Sequence, residues 1–157
     1  MASPEAHIAK ANHNIETIAL LSKDLAKKDW IVTVAFYAGL HIVDAVLFCT
    51  QKGFDQHGQS HDRRETLIKN DNRFQKMYEC YRPLSGLSIE ARYLQGPRTP
   101  PDKSVDFDKV MPNDKLILFI KEKLGGLIKS ASNFLKPDQF TELEQTFQTE
   151  LKGFLGL

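Results

Sequence analysis

The sequence predicts an all-α protein, an antiparallel up-and-down bundle of about five to six helices, and three observations carry that reading. Apolar residues recur at spacings of three and four along nearly the whole chain. No alternation of apolar and polar residues is long enough to make a strand. The stretches between periodic segments are mostly short, which makes successive helices antiparallel neighbours. At 157 residues the chain is long enough for one domain with a real core, spanning 1–157, and too short for two large ones.

The first helix is expected from about Pro4 to Ala26, because Ile8, Ala11, Ile15, Ile18, Leu21 and Leu25 share a face and Pro4 stands where a helix start tolerates it. After the turn Lys27-Lys28-Asp29, a second helix runs from about Trp30 to Gln51 and stops at Gly53. Its apolar run approaches membrane-spanning length. It also carries Thr33, Tyr37, His41 and Asp44, and an ionised aspartate at mid-bilayer is costly, so a buried central helix is expected rather than a membrane span. A third helix, capped by Ser60 or by Asp62 with Glu65, is expected to last to about Tyr81. Pro83 is expected to break it, leaving Leu84, Leu87, Ala91 and Leu94 on a short fourth helix.

An irregular, proline-rich loop is expected at about 95–110, with Gly96, Pro97, Pro100 and Pro101. Beyond it, Asn113 or Asp114 caps a helix with Leu116, Ile120, Leu124, Leu127, Ala131 and Phe134 on one side, weakened in its middle by Gly125-Gly126. The last helix starts at Pro137 and aligns Phe140, Leu143, Phe147, Leu151 and Phe154. That face either closes the bundle or pairs with a second copy in a homodimer, and closure is the default for a terminal helix.

With 21 Lys plus Arg against 20 Asp plus Glu, the chain has no global field to draw it onto nucleic acid or an anionic membrane. Basic residues are in modest local excess between His61 and Lys103. Two cysteines, Cys49 and Cys80, in no Cys-x-x-Cys spacing argue against a disulfide framework. A reducing cytoplasm is the expected compartment, and Met1-Ala2-Ser3-Pro4-Glu5 lacks the charged and apolar regions of a signal peptide.

Chemistry concentrates on two helices. At about 100 degrees per residue, Thr33, Tyr37, His41 and Asp44 form a polar stripe on the second. The stripe is either the floor of a cleft or a hydrogen-bonded network that holds helix register, with His41 able to reach Asp44. On the third helix Arg63 shares a side with Leu67, Phe74, Tyr78 and Tyr81, so Arg63 rather than Arg64 is the expected oriented guanidinium. His61 stands at that helix's start, where amides favour an anion, and a phosphate held there by Arg63 and Arg92 is chemically sensible. An arginine paired structurally with Asp44 or Glu90 is equally so. Asp55, His57, His61 and Asp62 follow no ligand spacing, so no metal or other cofactor is expected. No nucleophile elbow or phosphate-cradling glycine loop is present.

The order Tyr37-Ala38-x-x-His41-x-x-x-Ala45, then Gly58-Gln59-Ser60-His61, then a tyrosine-bearing helix and Ala91-Arg92-Tyr93 resembles the HEPN domain. The resemblance implies an all-α bundle of the kind found in toxin–antitoxin, defence and nucleotide-linked systems, many of them metal-independent ribonucleases with an arginine followed four to six residues later by a histidine. Here Ser88 stands at the arginine position, Arg92 at the aspartate position, and no histidine follows His61. Cleavage through 2′-hydroxyl attack needs a group titrating near neutrality, which arginine does not supply. The expectation is therefore a non-catalytic module binding a nucleotide, an RNA phosphate or an acidic protein partner through Tyr37, His41, His61, Arg63 and Arg92. The alternative is a divergent ribonuclease that uses His61 or His41 with Arg63 and Arg92.

Overall fold

A computed structural model describes residues 3–50, 60–94 and 106–152, and these form helices with no strand among them. The helices are α1 (Pro4–Leu21), α2 (Lys28–Thr50), α3 (His61–Asn70), α4 (Gln75–Tyr93), α5 (Phe107–Val110), α6 (Asn113–Ala131) and α7 (Pro137–Phe147). Helix α2 is the axis of the bundle and packs against α1, α4 and α6. It is long and apolar enough to cross a membrane by length and composition, yet most of that window is covered by the other helices.

Helix α1 begins as expected, with Ser3 accepting a hydrogen bond from the Ala6 amide ahead of Pro4. It ends at Leu21, five residues early, where the Ser22 hydroxyl also bonds the Ile18 carbonyl and the next amides, Lys23 and Asp24, turn to the i−3 carbonyls of Leu20 and Leu21. Asp24 then accepts from the Ala26 amide and starts a 3-10 turn, Leu25–Lys27, that leads into α2. Trp30 lies in the first turn of α2 but is exposed.

Two expectations about the middle of the chain are corrected. The expected third helix is two: α3 stops at Asn70, and a 3-10 turn, Asn72–Phe74, leads into α4. Asp71 causes the break, since its carboxylate accepts from the Arg73 amide at 2.9 Å and pairs with the Arg73 guanidinium at 2.7 Å, a local alternative to the helical bond. Pro83 does not break the chain, and α4 runs through it. The buried Tyr81, Leu84 and Leu87 on either side hold the helix, offsetting a cost of about 3 kcal/mol for an interior proline. Leu94, in the left-handed region at φ 53°, ends α4.

The proline-rich stretch 95–105 lies outside the described residues, but the end of the expected loop is ordered. Phe107 of α5 is buried, and Lys28 fastens the segment by pairing with Asp108 at 2.7 Å and donating to the Met111 carbonyl at 3.1 Å. Helix α6 passes unbroken through Gly125-Gly126, where a side chain at Gly126 would meet the Cys80 sulfur. Helix α7 closes its own bundle, with Leu143, Phe147 and then Leu151 of the π-helical turn Gln148–Lys152 buried. Gln139 donates to Glu5 at 2.7 Å and Asn12 donates to Glu142 at 3.0 Å, tying α7 to α1. Phe154 lies outside the described residues.

Two glycines separate close packing from helix propensity. A Cβ on Gly39 would sit 3.0 Å from Leu127 and 3.2 Å from Leu84, both fully buried, whereas a Cβ on Gly86 meets nothing within 4 Å. Gly86→Ala should therefore stabilise the fold by about 0.5–1 kcal/mol through helix propensity. Gly39→Ala should destabilise it by about 1 kcal/mol, overpacking outweighing the same propensity gain. Urea unfolding of both variants reads the two signs.

Candidate functional site

The polar stripe on α2 is resolved residue by residue. The Thr33 hydroxyl donates to the Asp29 carbonyl at 2.7 Å and is absorbed by its own helix. Asp44 is buried and receives two parallel hydrogen bonds from the buried Arg64 of α3, Nε to Oδ1 and Nη2 to Oδ2, the second at 2.9 Å. Such a fork is the strongest ion-pair geometry a carboxylate takes. Burial works against the Arg64 charge, but the Asp44 bonds and charge outweigh it and leave the guanidinium more firmly protonated than usual. The Tyr81 phenol lies beside this pair, and burial pushes its pKa up to about 12.

The partner of Asp44 corrects the reading of α3. Arg63, expected as the oriented guanidinium, is exposed, and Arg64, expected to point away, faces inward. The expected phase used Phe74, Tyr78 and Tyr81 as if they continued the same helix. They lie beyond the Asp71 break, Phe74 in the 3-10 turn and Tyr78 and Tyr81 in α4, and the true inner face of α3 is Arg64 and Ile68, one turn apart.

On one side of the ion pair stands a ring cluster built on the buried Phe36. The rings of Tyr37, His61 and Tyr81 lie 5.2, 5.5 and 5.8 Å from it, centroid to centroid. Arg92 of α4 places its guanidinium carbon 5.5 Å from the Phe36 centroid, 6.0 Å from that of Tyr37 and 5.2 Å from that of Tyr93. Its Nε donates to the Ser88 carbonyl at 3.2 Å, and no carboxylate among the described residues forms an ion pair with it. Ser60 caps α3 by accepting from the Arg63 amide, which sets His61 at the helix start. Desolvation lowers the His61 pKa, and the charges of Arg64 and Arg92 lower it further against Asp62 and Asp44.

On the other side His41 turns toward α1 rather than along α2. Its Nδ1 lies 2.9 Å from Nδ1 of the buried His7, whose ring stacks on Phe48 at 5.5 Å. Burial, then the neighbouring His7, Lys10 and Arg64, hold the His41 pKa down at about 4. One ligating atom each from His7, His41 and Asp44 fall within 4.8 Å of one another.

Of the five residues expected at a site, Tyr37, His61 and Arg92 gather around Phe36, His41 joins His7 on the opposite flank, and Arg63 faces solvent. Sequence reasoning missed Arg64, Tyr93 and His7. For His7 a signal existed, because it interrupts the apolar face of Ile8, Ala11 and Ile15 with a buried polar ring. No protein-family model, curated protein or solved structure matches this chain.

Breaking the ion pair should strand a buried charge. Asp44→Ala is expected to lose about 3–5 kcal/mol of stability, and the double variant Asp44→Leu/Arg64→Met to recover most of it, measured by denaturant unfolding. The His41 pKa also has a sign. A histidine near 6.5 unfolded and near 4 folded binds more protons in the unfolded chain between those values, so stability is full above about pH 6.5 and falls as pH drops toward 4. With solvent screening of a half-buried ring the loss should be about 1–2 kcal/mol. In buffer containing EDTA, His41→Gln should flatten that part of the pH–stability curve.

Proposed function

We propose that this chain is a HEPN-like up-and-down helical module that binds the phosphate of a nucleotide or RNA, without cleaving it, at the surface made by Tyr37, His61, Arg92 and Tyr93. The observation that carries the reading is Arg92, stacked among three aromatic rings and paired with no carboxylate among the described residues. A guanidinium that among the described residues is hydrogen-bonded through Nε alone keeps donors for two phosphate oxygens, and its plane is already oriented. The α3 N-terminus beside it adds amide dipoles that favour an anion. Exposed Tyr93 offers a face for stacking a base, as single-strand binding surfaces do.

A net charge of +1 supplies little long-range attraction, so affinity here rests on local contacts and is sensitive to one residue. Fluorescence anisotropy with a labelled single-stranded oligoribonucleotide and with a fluorescent ATP analogue tests this. Arg92→Ala should weaken binding by about tenfold or more, and Arg63→Ala by less than about twofold. Equal affinities for wild type and Arg92→Ala would remove the site.

A second reading has one observation in its favour: His61, its pKa lowered, and Arg92 flank the same Phe36 ring. That pairing provides a neutral base at pH 7 and a cation for a developing phosphorane charge. Metal-independent cleavage of a fluorogenic RNA that disappears in both His61→Ala and Arg92→Ala would make the module a divergent ribonuclease instead.

A further inference from the structure

We propose that His7, His41 and Asp44 form a binding site for a zinc-class divalent metal ion that joins α1 to α2. The site shares no ligand with the phosphate surface and stands independently of that reading.

The geometry carries it. One ligating atom from each of the three side chains lies within 4.8 Å of the other two, and two of the three residues are buried. His41 and Asp44 sit one turn apart on the same face of α2, and His7 comes from the helix packed across it. Two Zn–N bonds of about 2.0–2.1 Å at a tetrahedral angle set the nitrogens about 3.3 Å apart, so the rings need open only slightly from their present 2.9 Å. The metal takes the position between the two Nδ1 atoms, and the proton of that hydrogen bond is carried instead on Nε2 of its ring, the other tautomer of a neutral imidazole.

The surroundings favour preorganisation. His7 is clamped between His41 and Phe48, with the Phe48 ring stacked at an interplanar angle of 25°. Arg64 holds the Asp44 carboxylate in one orientation, as outer partners of metal-binding carboxylates do. His41 is half-buried, which leaves a side open for water as the fourth ligand.

Charge selects the ion. Arg64 and Lys10 both act on His41, so the site has one carboxylate against two cations. Hard ions held by charge and oxygen ligands, Mg²⁺ and Ca²⁺, are disfavoured. An ion that bonds imidazole nitrogen strongly, Zn²⁺ above all, is favoured.

The test is titration of the full chain, stripped with EDTA, with Zn²⁺ alone by calorimetry. One equivalent should bind, Mg²⁺ should not, and His7→Ala and His41→Gln should each weaken Zn²⁺ binding by more than about tenfold, while His13→Ala leaves it unchanged. No binding, or undiminished binding in His41→Gln, overturns the proposal. Since His7→Ala removes a buried ring, imidazole ¹⁵N NMR of the wild type gives a second readout that does not rely on its folding. Zinc should shift Nδ1 of His7 and His41, and shifts confined to His13, His57 or His61 would likewise overturn it.

Discussion

One ion pair organises this molecule: Asp44 on the central helix and Arg64 on α3, both almost wholly removed from water. An aspartate in the middle of a helix packed on three sides is a large desolvation cost, and only a partner with matched geometry makes it tolerable. That partner has to arrive from a particular angle. Arg64 therefore sets the rotation of α3, and with it the direction of every residue on that short helix. His61, three residues earlier, is carried to the rim beside Phe36, while Arg63 is turned to solvent. Tyr81 brings α4 against the same pair. The pair contributes little net stability against a well-packed apolar replacement, but it selects one register among three helices.

The division of α2 into two chemical flanks follows from helical angles. Taking Phe36 as zero, Thr33, Asp44, Tyr37 and His41 fall at about 60, 80, 100 and 140 degrees. Asp44 falls between Phe36 and Tyr37 and about 60 degrees from His41. Phe36 and Tyr37 look toward the Arg92 side, His41 toward His7 and α1, and the aspartate is within reach of both. A stripe that reads as one feature in sequence is thus four: a hydroxyl bonded to its own backbone, an aromatic shelf, a histidine facing a different helix, and a carboxylate paired with α3.

Helices whose apolar spacing is regular were legible in advance: the start of α1, most of α2, α6 and the start of α7 all follow from residues at three and four spacing. The failures have local causes. Asn70-Asp71-Asn72 carries a turn signal that a continuing apolar pattern masked, and running α3 through it transferred the phase of α4 onto Arg63. Pro83 was read by propensity alone, whereas packing at Tyr81, Leu84 and Leu87 decides the outcome. For the candidate site, Tyr37 stands out as a member of the polar stripe on α2, and His61 and Arg92 as basic residues near the ends of α3 and α4. His7 stands out as a polar ring on the apolar face of α1, but its partner does not: the contact with His41 spans 34 positions of sequence, and single-helix periodicity contains no information about which neighbour a face meets.

Sharing one carboxylate couples the two flanks. Arg64 and any cation on the His7–His41 side draw on the same negative charge, so an ion there weakens the hold of Asp44 on the guanidinium without needing to touch it. Arg64 also lowers the proton affinity of His61 while Asp44 raises it, and the balance between them is what His61 experiences. Neutralising Asp44 from the α1 side tilts that balance further toward a neutral imidazole beside Arg92 and leaves the rim more positive. By linkage the effect is reciprocal: an anion held at the Arg92 rim favours the cation on the histidine flank to the same degree that the cation favours the anion. The buried aspartate is thus both the residue that sets the register of α3 and the physical link between the molecule's two polar flanks.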